Sequence, residues 1–185
     1  MEFKSGEALL ENALPAAKRL AQLKRRARAA GVPVIYVNDN FGKWRCDFRQ
    51  QLGHVLEAGV RGELVAKLLL PDKQDFFVLK AKHSGFYHTQ LDLLIDYLQV
   101  RTLVLAGFAT DMCVLFTGSD AFMRDLEIIV PRDCSASASM EHHEGALEHM
   151  SRVLKVKTTS SEEIDFTELV ASSHADAQPA ATSRE

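Results

Sequence analysis

A chain of 185 residues with 46% hydrophobic side chains can bury one substantial core, and its length suits a single domain. Its 22 basic and 25 acidic residues leave a net charge of -3, which gives no electrostatic case for nucleic acid or an anionic membrane surface. Three cysteines, Cys46, Cys113 and Cys134, are an odd number without C-x-x-C spacing, so neither a disulfide framework nor a structural zinc site is indicated.

The first six residues carry two charges and no apolar signal core, and the longest apolar stretch, 64–70, is interrupted by Lys67. Neither a secretion signal nor a membrane span is expected, and the simplest reading is a cytoplasmic protein with reduced thiols. Residues 15–30 read as a helix, with Asn12 as a cap, Pro15 in the first turn and Gly31 as the stop. The basic run Lys18-Arg19 and Lys24-Arg25-Arg26-Ala27-Arg28 alternates with Leu20 and Leu23 at helical spacing, so it reads as a solvated face. A short buried strand is expected over 32–38. Residues 50–70 look irregular with one short helix over 63–69, and the next strand covers 75–80.

Thr89-Gln90-Leu91-Asp92 has the form of a capping box, opening a helix whose apolar face is Leu91, Leu94, Ile95 and Leu98. Strands over 102–106, 126–130 and 153–158 then alternate with helices over 113–124 and 141–151. From Ala171 the chain is small, polar and aperiodic, so a domain of residues 1–170 and a disordered tail of 171–185 are expected. Strands separated by helices imply parallel pairing and right-handed crossovers, hence a Rossmann-like three-layer α/β sandwich with a mostly parallel sheet. Chemistry in such sheets lies beyond the carboxyl ends of the strands, where Asn38, Asp39, Lys80, Cys113 and Asp133 all fall. A nucleotide-binding domain is discounted, because no strand is followed by G-x-G-x-x-G or G-x-x-x-x-G-K-[ST].

Two segments carry the chemistry. In the first, an apolar run from Leu103 breaks at Gly107 and delivers Cys113 to the start of an amphipathic helix, where free N–H groups and the helix dipole favour the nucleophilic thiolate. In the second, the strand Phe76-Phe77-Val78-Leu79 ends on Lys80, followed by Ser84 and Phe86. An ordered pair of K-x-x-x-S-x-F and G-x-x-T-D-x-C-V segments resembles the isochorismatase-like cysteine hydrolases, a family that includes nicotinamidases and many amidases of unassigned substrate. The resemblance runs from about Gly6 to about Leu169.

The resemblance implies an aspartate, lysine and cysteine triad, with Cys113 as the nucleophile that forms a thioester and Lys80 holding its ammonium beside the sulfur. The spacing to Ser84 and Phe86 selects Lys80 over Lys82. It also implies a cis peptide at Phe108-Ala109 and an oxyanion hole from the N–H groups of Ala109 and Cys113. Asp111 reads as a helix cap rather than a base. The family's aspartate ends a first strand in an I-D-x-Q/I-N-D-F type motif, whereas this chain opens Met1-Glu2-Phe3-Lys4-Ser5-Gly6, like the loop after that strand. The expectation is therefore a shortened member lacking its first central strand, with the strands of Tyr36 and Leu105 facing a gap. Asp39, immediately after the second strand, could then approach Lys80 as a substitute base.

Family nicotinamidases hold a metal with Asp-x-His and a later histidine. Here Asn38-Asp39-Asn40-Phe41-Gly42-Lys43-Trp44 offers no histidine before His54, so neither metal nor cofactor is expected. His142, His143 and His149 read as surface residues. Asn38, Asp39, Phe41, Trp44 and Phe86 are candidates to line the substrate site, although the three aromatics suit core packing equally. The activity expected is hydrolysis of a small carboxamide or related C–N bond by a homo-oligomer, with no nucleic-acid or membrane partner. A second reading is a catalytically impaired remnant that persists as a binding or oligomerisation module.

Overall fold

The computed structural model describes residues 6–40, 44–45, 47–56 and 59–176. Helix α1 (Gly6–Ala29) leads into strand β1 (Ile35–Asp39), and the short helices α2 (Phe48–Val55) and α3 (Glu63–Leu68) precede β2 (Phe76–Lys80). Next come α4 (Leu91–Tyr97), β3 (Thr102–Val104), β4 (Gly107–Phe108), α5 (Leu115–Phe122) and β5 (Glu127–Pro131). The chain ends with β6 (Ser135–Ala136), α6 (Met140–Leu154), β7 (Lys157–Thr159) and α7 (Phe166–Asp176). Every strand pair is parallel: β1 with β2, β3 with β5, β5 with β7, and β4 with β6. Among the described residues no helix is long and apolar enough to cross a membrane.

Strand alternation sorts the core into two layers. In β5, Ile128 and Val130 face a cluster built with α4, α5 and α6, including Ile95, Ala121, Leu147 and Met150. Ile129 between them faces the opposite side, where Leu23 and Ala27 of α1 meet Ile164 and Phe166 at the start of α7. Successive strand side chains point to opposite faces, so both faces of this strand are apolar and both are covered by helices.

Several boundaries differ from the sequence reading. Helix α1 begins at Gly6, because Leu9, Ala13, Ala16 and Ala17 carry its buried face upstream of Pro15. Asn12 therefore lies inside the helix, where its amide donates to the Ser137 carbonyl at 3.0 Å. The stretch expected to be irregular contains α2, capped by Asp47, whose carboxylate accepts from the Gln50 N–H at 2.8 Å. Helix α6 continues through Leu154 and ends on Lys155 in the left-handed region, so β7 starts later than expected. Helix α7 runs through Ala171 to Asp176, past the expected start of the tail; residues 177–185 lie outside the described set. Only half of the Thr89 capping box forms: Thr89 Oγ1 accepts from the Leu91 N–H at 3.1 Å, but Asp92 pairs with Arg124 instead of reaching back.

The basic run on α1 is not a plain solvated face. Lys24 donates to the Tyr36 hydroxyl and the Leu70 carbonyl, both at 2.6 Å. Arg26 donates to the carbonyls of Ser161 and Ile164, and Arg28 pairs with the buried Asp75. Burial lowers the pKa of Lys24 and raises that of Tyr36, since each charged form would have to leave water. These cations fasten α1 to the amino ends of β1 and β2 and to the segment before α7.

Strands β1 and β3 belong to separate hydrogen-bonded sheets. Between them runs a cavity of about 410 Å³, lined on one side by Ile35, Tyr36, Val37 and Asn38 and on the other by Val104 through Phe108. Val65 and Leu69 close it on one face, Val114 and Thr117 on the other. All of β1 and β3 is at least partly exposed, whereas Ile128 through Pro131 of β5 are buried. Two parallel edges with apolar walls above and below make a slot with the shape of one more strand. A linker and an apolar strand of about five residues fused ahead of Met1 should raise the melting temperature by roughly 2–4 °C for each kcal/mol gained. A fusion that melts no higher than the parent chain would contradict the strand-shaped slot.

Candidate active site

Register builds the site. In the parallel β1–β2 pair, the last residues of the two strands, Asp39 and Lys80, are Cα partners, so their side chains leave the same face side by side. The pairing extends by one more bond, from the Asn40 N–H to the Lys80 carbonyl at 2.8 Å. Lys80 is buried, with its side chain 2% exposed, and its ammonium forms an ion pair with Asp39. It also donates to the Lys82 carbonyl at 3.0 Å and to Cys113 Sγ at 3.2 Å. The three donors of one ammonium thus have three acceptors, the condition under which a buried charge is tolerated. Cys113 Sγ lies 3.9 Å from the second Asp39 oxygen. Asp39, Lys80 and Cys113 form one contiguous group at an end of the slot, beside Asn38 and Phe108.

Cys113 is held in a wide turn, Thr110–Val114, that runs directly into α5. Its N–H groups converge on the Ala109 carbonyl, which accepts from Met112 at 3.3 Å and Val114 at 3.2 Å. The Phe108–Ala109 peptide before it is cis. The segment after β2 is clamped to α5. Ser84 Oγ donates to Asp120, the Gly85 N–H donates to Thr117 Oγ1 at 2.9 Å, and the Phe86 N–H donates to Ser84 Oγ at 3.1 Å. A Cβ on Gly85 would stand 3.0 Å from Val37 Cγ1 and 3.1 Å from Leu91 Cδ2, so this segment passes as close to the core as a backbone can. The clamp joins the strand carrying Lys80 to the helix that follows Cys113.

Other residues singled out in the sequence fall elsewhere. Phe86 is a core residue, packed with Val78, Leu91 and Ile95 and covered by the Arg124 guanidinium 4.5 Å from its ring centroid, so it does not line a substrate site. Trp44 is 79% exposed, and Phe41 lies outside the described residues. Asp133 accepts from the Ser161 N–H and hydroxyl and is a structural pin. Asp111 caps no helix; its carboxylate accepts from the Ser137 hydroxyl and lies 3.7 Å from His142 Nδ1. His142 and His149 are exposed, but His143 is buried and hydrogen-bonded to Thr110. Its signal was available, since His143, Ala146, Leu147, Met150 and Leu154 follow one helical face. Among the described residues, no His, Cys, Asp or Glu side chains are grouped as a metal-ligand set.

The family model described as "Isochorismatase domain" matches residues 3–162. The chain belongs to the isochorismatase family. It is 38% identical over 163 residues to the uncharacterized isochorismatase family protein YaaI of Bacillus subtilis, covering 88% of this chain and 89% of that one. It is 29% identical over 160 residues to the ureidoacrylate amidohydrolase RutB of Methylorubrum extorquens, matching 74% of this chain and 63% of the relative's length. Among solved structures, the N-carbamoylsarcosine amidase of Thermoplasma acidophilum superposes with a TM-score of 0.68 at 28% identity, over 84% of this chain and 87% of that one. The three-layer α/β sandwich is thus the isochorismatase-like fold.

Burial pushes the Cys134 thiol up to about 12, with the nearby Asp133 charge adding to the effect, so the inert thiol dominates there at neutral pH. Cys113 is partly exposed and touches an ammonium. Alkylation of folded protein near pH 7.5 with peptide mapping should therefore label Cys113 well ahead of Cys134. Equal or faster labelling of Cys134 would contradict this account of the two thiols.

Proposed function

We propose that the chain is a cysteine hydrolase that cleaves a small carboxamide or related C–N bond through a thioester on Cys113. The observation that carries this reading is the position of Lys80, whose ammonium contacts both Asp39 and Cys113 Sγ. The amidohydrolase and amidase names of RutB and the Thermoplasma acidophilum protein favour an amide among acyl substrates.

In the first half-reaction, Cys113 Sγ forms a bond to the carbonyl carbon while its proton passes to Asp39. Lys80 holds the sulfur and the carboxylate in place and balances their charge. The carbonyl electrons move onto oxygen, which the N–H groups of Ala109 and Cys113 receive. Collapse breaks the C–N bond, and the leaving nitrogen takes the proton from Asp39. In the second half, a water gives a proton to Asp39 and attacks the thioester. The C–S bond breaks and the departing sulfur takes that proton back from Asp39, releasing a carboxylic acid and the free thiol. The 3.9 Å separation of Asp39 from sulfur is long for proton transfer, but catalytic hydrogen bonds commonly tighten only once substrate is bound.

A second reading, a remnant that binds or oligomerises without turnover, is favoured by the open slot beside the site. The two are separated by assaying a panel of small neutral amides with the parent chain and with Asp39→Asn. Asparagine keeps an oxygen for Lys80 and removes the base, so kcat should fall by about 10²-fold or more. Unchanged turnover would remove Asp39 from the mechanism, and no turnover by the parent chain would favour the remnant.

A further inference from the structure

The turn that carries Cys113 is held from outside by a buried side-chain pair. Thr110, its first residue, is fully buried, and its hydroxyl lies 2.8 Å from Nδ1 of His143, which is 4% exposed on the inner face of α6. Either tautomer of the ring gives one hydrogen bond here, because a hydroxyl both donates and accepts. The backbone of the turn is wide, with i→i+5 geometry that is rare outside single turns, many of them at functional sites. Its second side-chain tie is also made to the chain entering α6: Ser137 Oγ donates to the Asp111 carboxylate and accepts from the Asp111 N–H at 3.2 Å. One residue of the turn faces Lys80 with its sulfur, and the two that open it face the amino end of α6.

We propose that His143 is a positioning residue for the nucleophile, acting through Thr110 to set the turn that aims Cys113 Sγ at Lys80. The inference rests on Cys113 as the nucleophile, but not on any one substrate. Thr110 has no surface open to solvent and His143 almost none, so deleting either partner leaves the other polar group buried without this bond. The turn relieves this by shifting, and the 3.2 Å contact of sulfur with the ammonium is lost with it.

The test measures the rate of iodoacetamide alkylation of Cys113, followed by peptide mapping, in His143→Leu, Thr110→Val, the double variant and Thr110→Ser, each checked for its melting temperature. Both single variants should label Cys113 about tenfold more slowly, the size of effect one lost buried hydrogen bond gives. The double variant should lose little more than either single, and Thr110→Ser, which keeps the hydroxyl, should label near the parent rate. Parent-like labelling in both singles despite a lowered melting temperature would make the pair mere core packing and overturn the proposal. Losses that multiply in the double variant would overturn it equally. Should His143→Leu fail to fold, Thr110→Val decides alone. If no form hydrolyses any amide but the labelling pattern holds, the functional reading fails and the positioning role stands.

Discussion

A lysine ammonium buried to within a few per cent of full enclosure is the constraint around which this molecule is arranged. Taken out of water, that charge must find acceptors in every direction its three N–H bonds point, or the fold loses several kcal/mol. Lys80 finds a carboxylate on the neighbouring strand, a carbonyl two residues on and a cysteine sulfur from a distant turn. Each acceptor comes from a different part of the chain, so satisfying the ammonium draws together β1, the segment after β2 and the turn before α5. The group that solves a desolvation problem is also the one that holds a thiol sulfur and a carboxylate together.

The surrounding structure keeps that group in register. Parallel pairing makes the last residues of β1 and β2 neighbours, and the Ser84–Asp120 and Gly85–Thr117 bonds lock the following segment to α5. From the other side, α6 grips the cysteine turn through His143 and the chain just before it. The cations of α1 fasten the amino ends of the same strands, far from the chemistry. The site is thus held on rigid elements, while the slot between β1 and β3 leaves one wall of it open.

Much of this was legible in the sequence, for identifiable reasons. Alternation of apolar runs with helical periods pointed to the parallel sandwich, and the break at Gly107 before Thr110, Asp111 and Cys113 marked the turn that leads into α5. The partnership of Asp39 with Lys80 was visible only as an option, because it depends on register, and register is a property of paired strands rather than of either strand read alone. His143 was misread because adjacent histidines on one helix look alike until the buried face is traced through Ala146 and Met150. The α1 cations were misread because their partners, Tyr36, Asp75 and Ile164, are far away in sequence. The helical start of the tail was missed because small polar residues carry no period, and α7 is anchored by Phe166 and Leu169 at its beginning.

Most depends on the contact between the buried Lys80 ammonium and Cys113 Sγ. The direct measurement is the rate of iodoacetamide alkylation of Cys113 near neutral pH in Lys80→Met, a substitution of similar length that places no charge in the buried site. With the fold intact, the account predicts labelling slower by about tenfold or more, since the cation that touches the sulfur is gone. A folded variant that labels Cys113 as fast as the parent chain would contradict it.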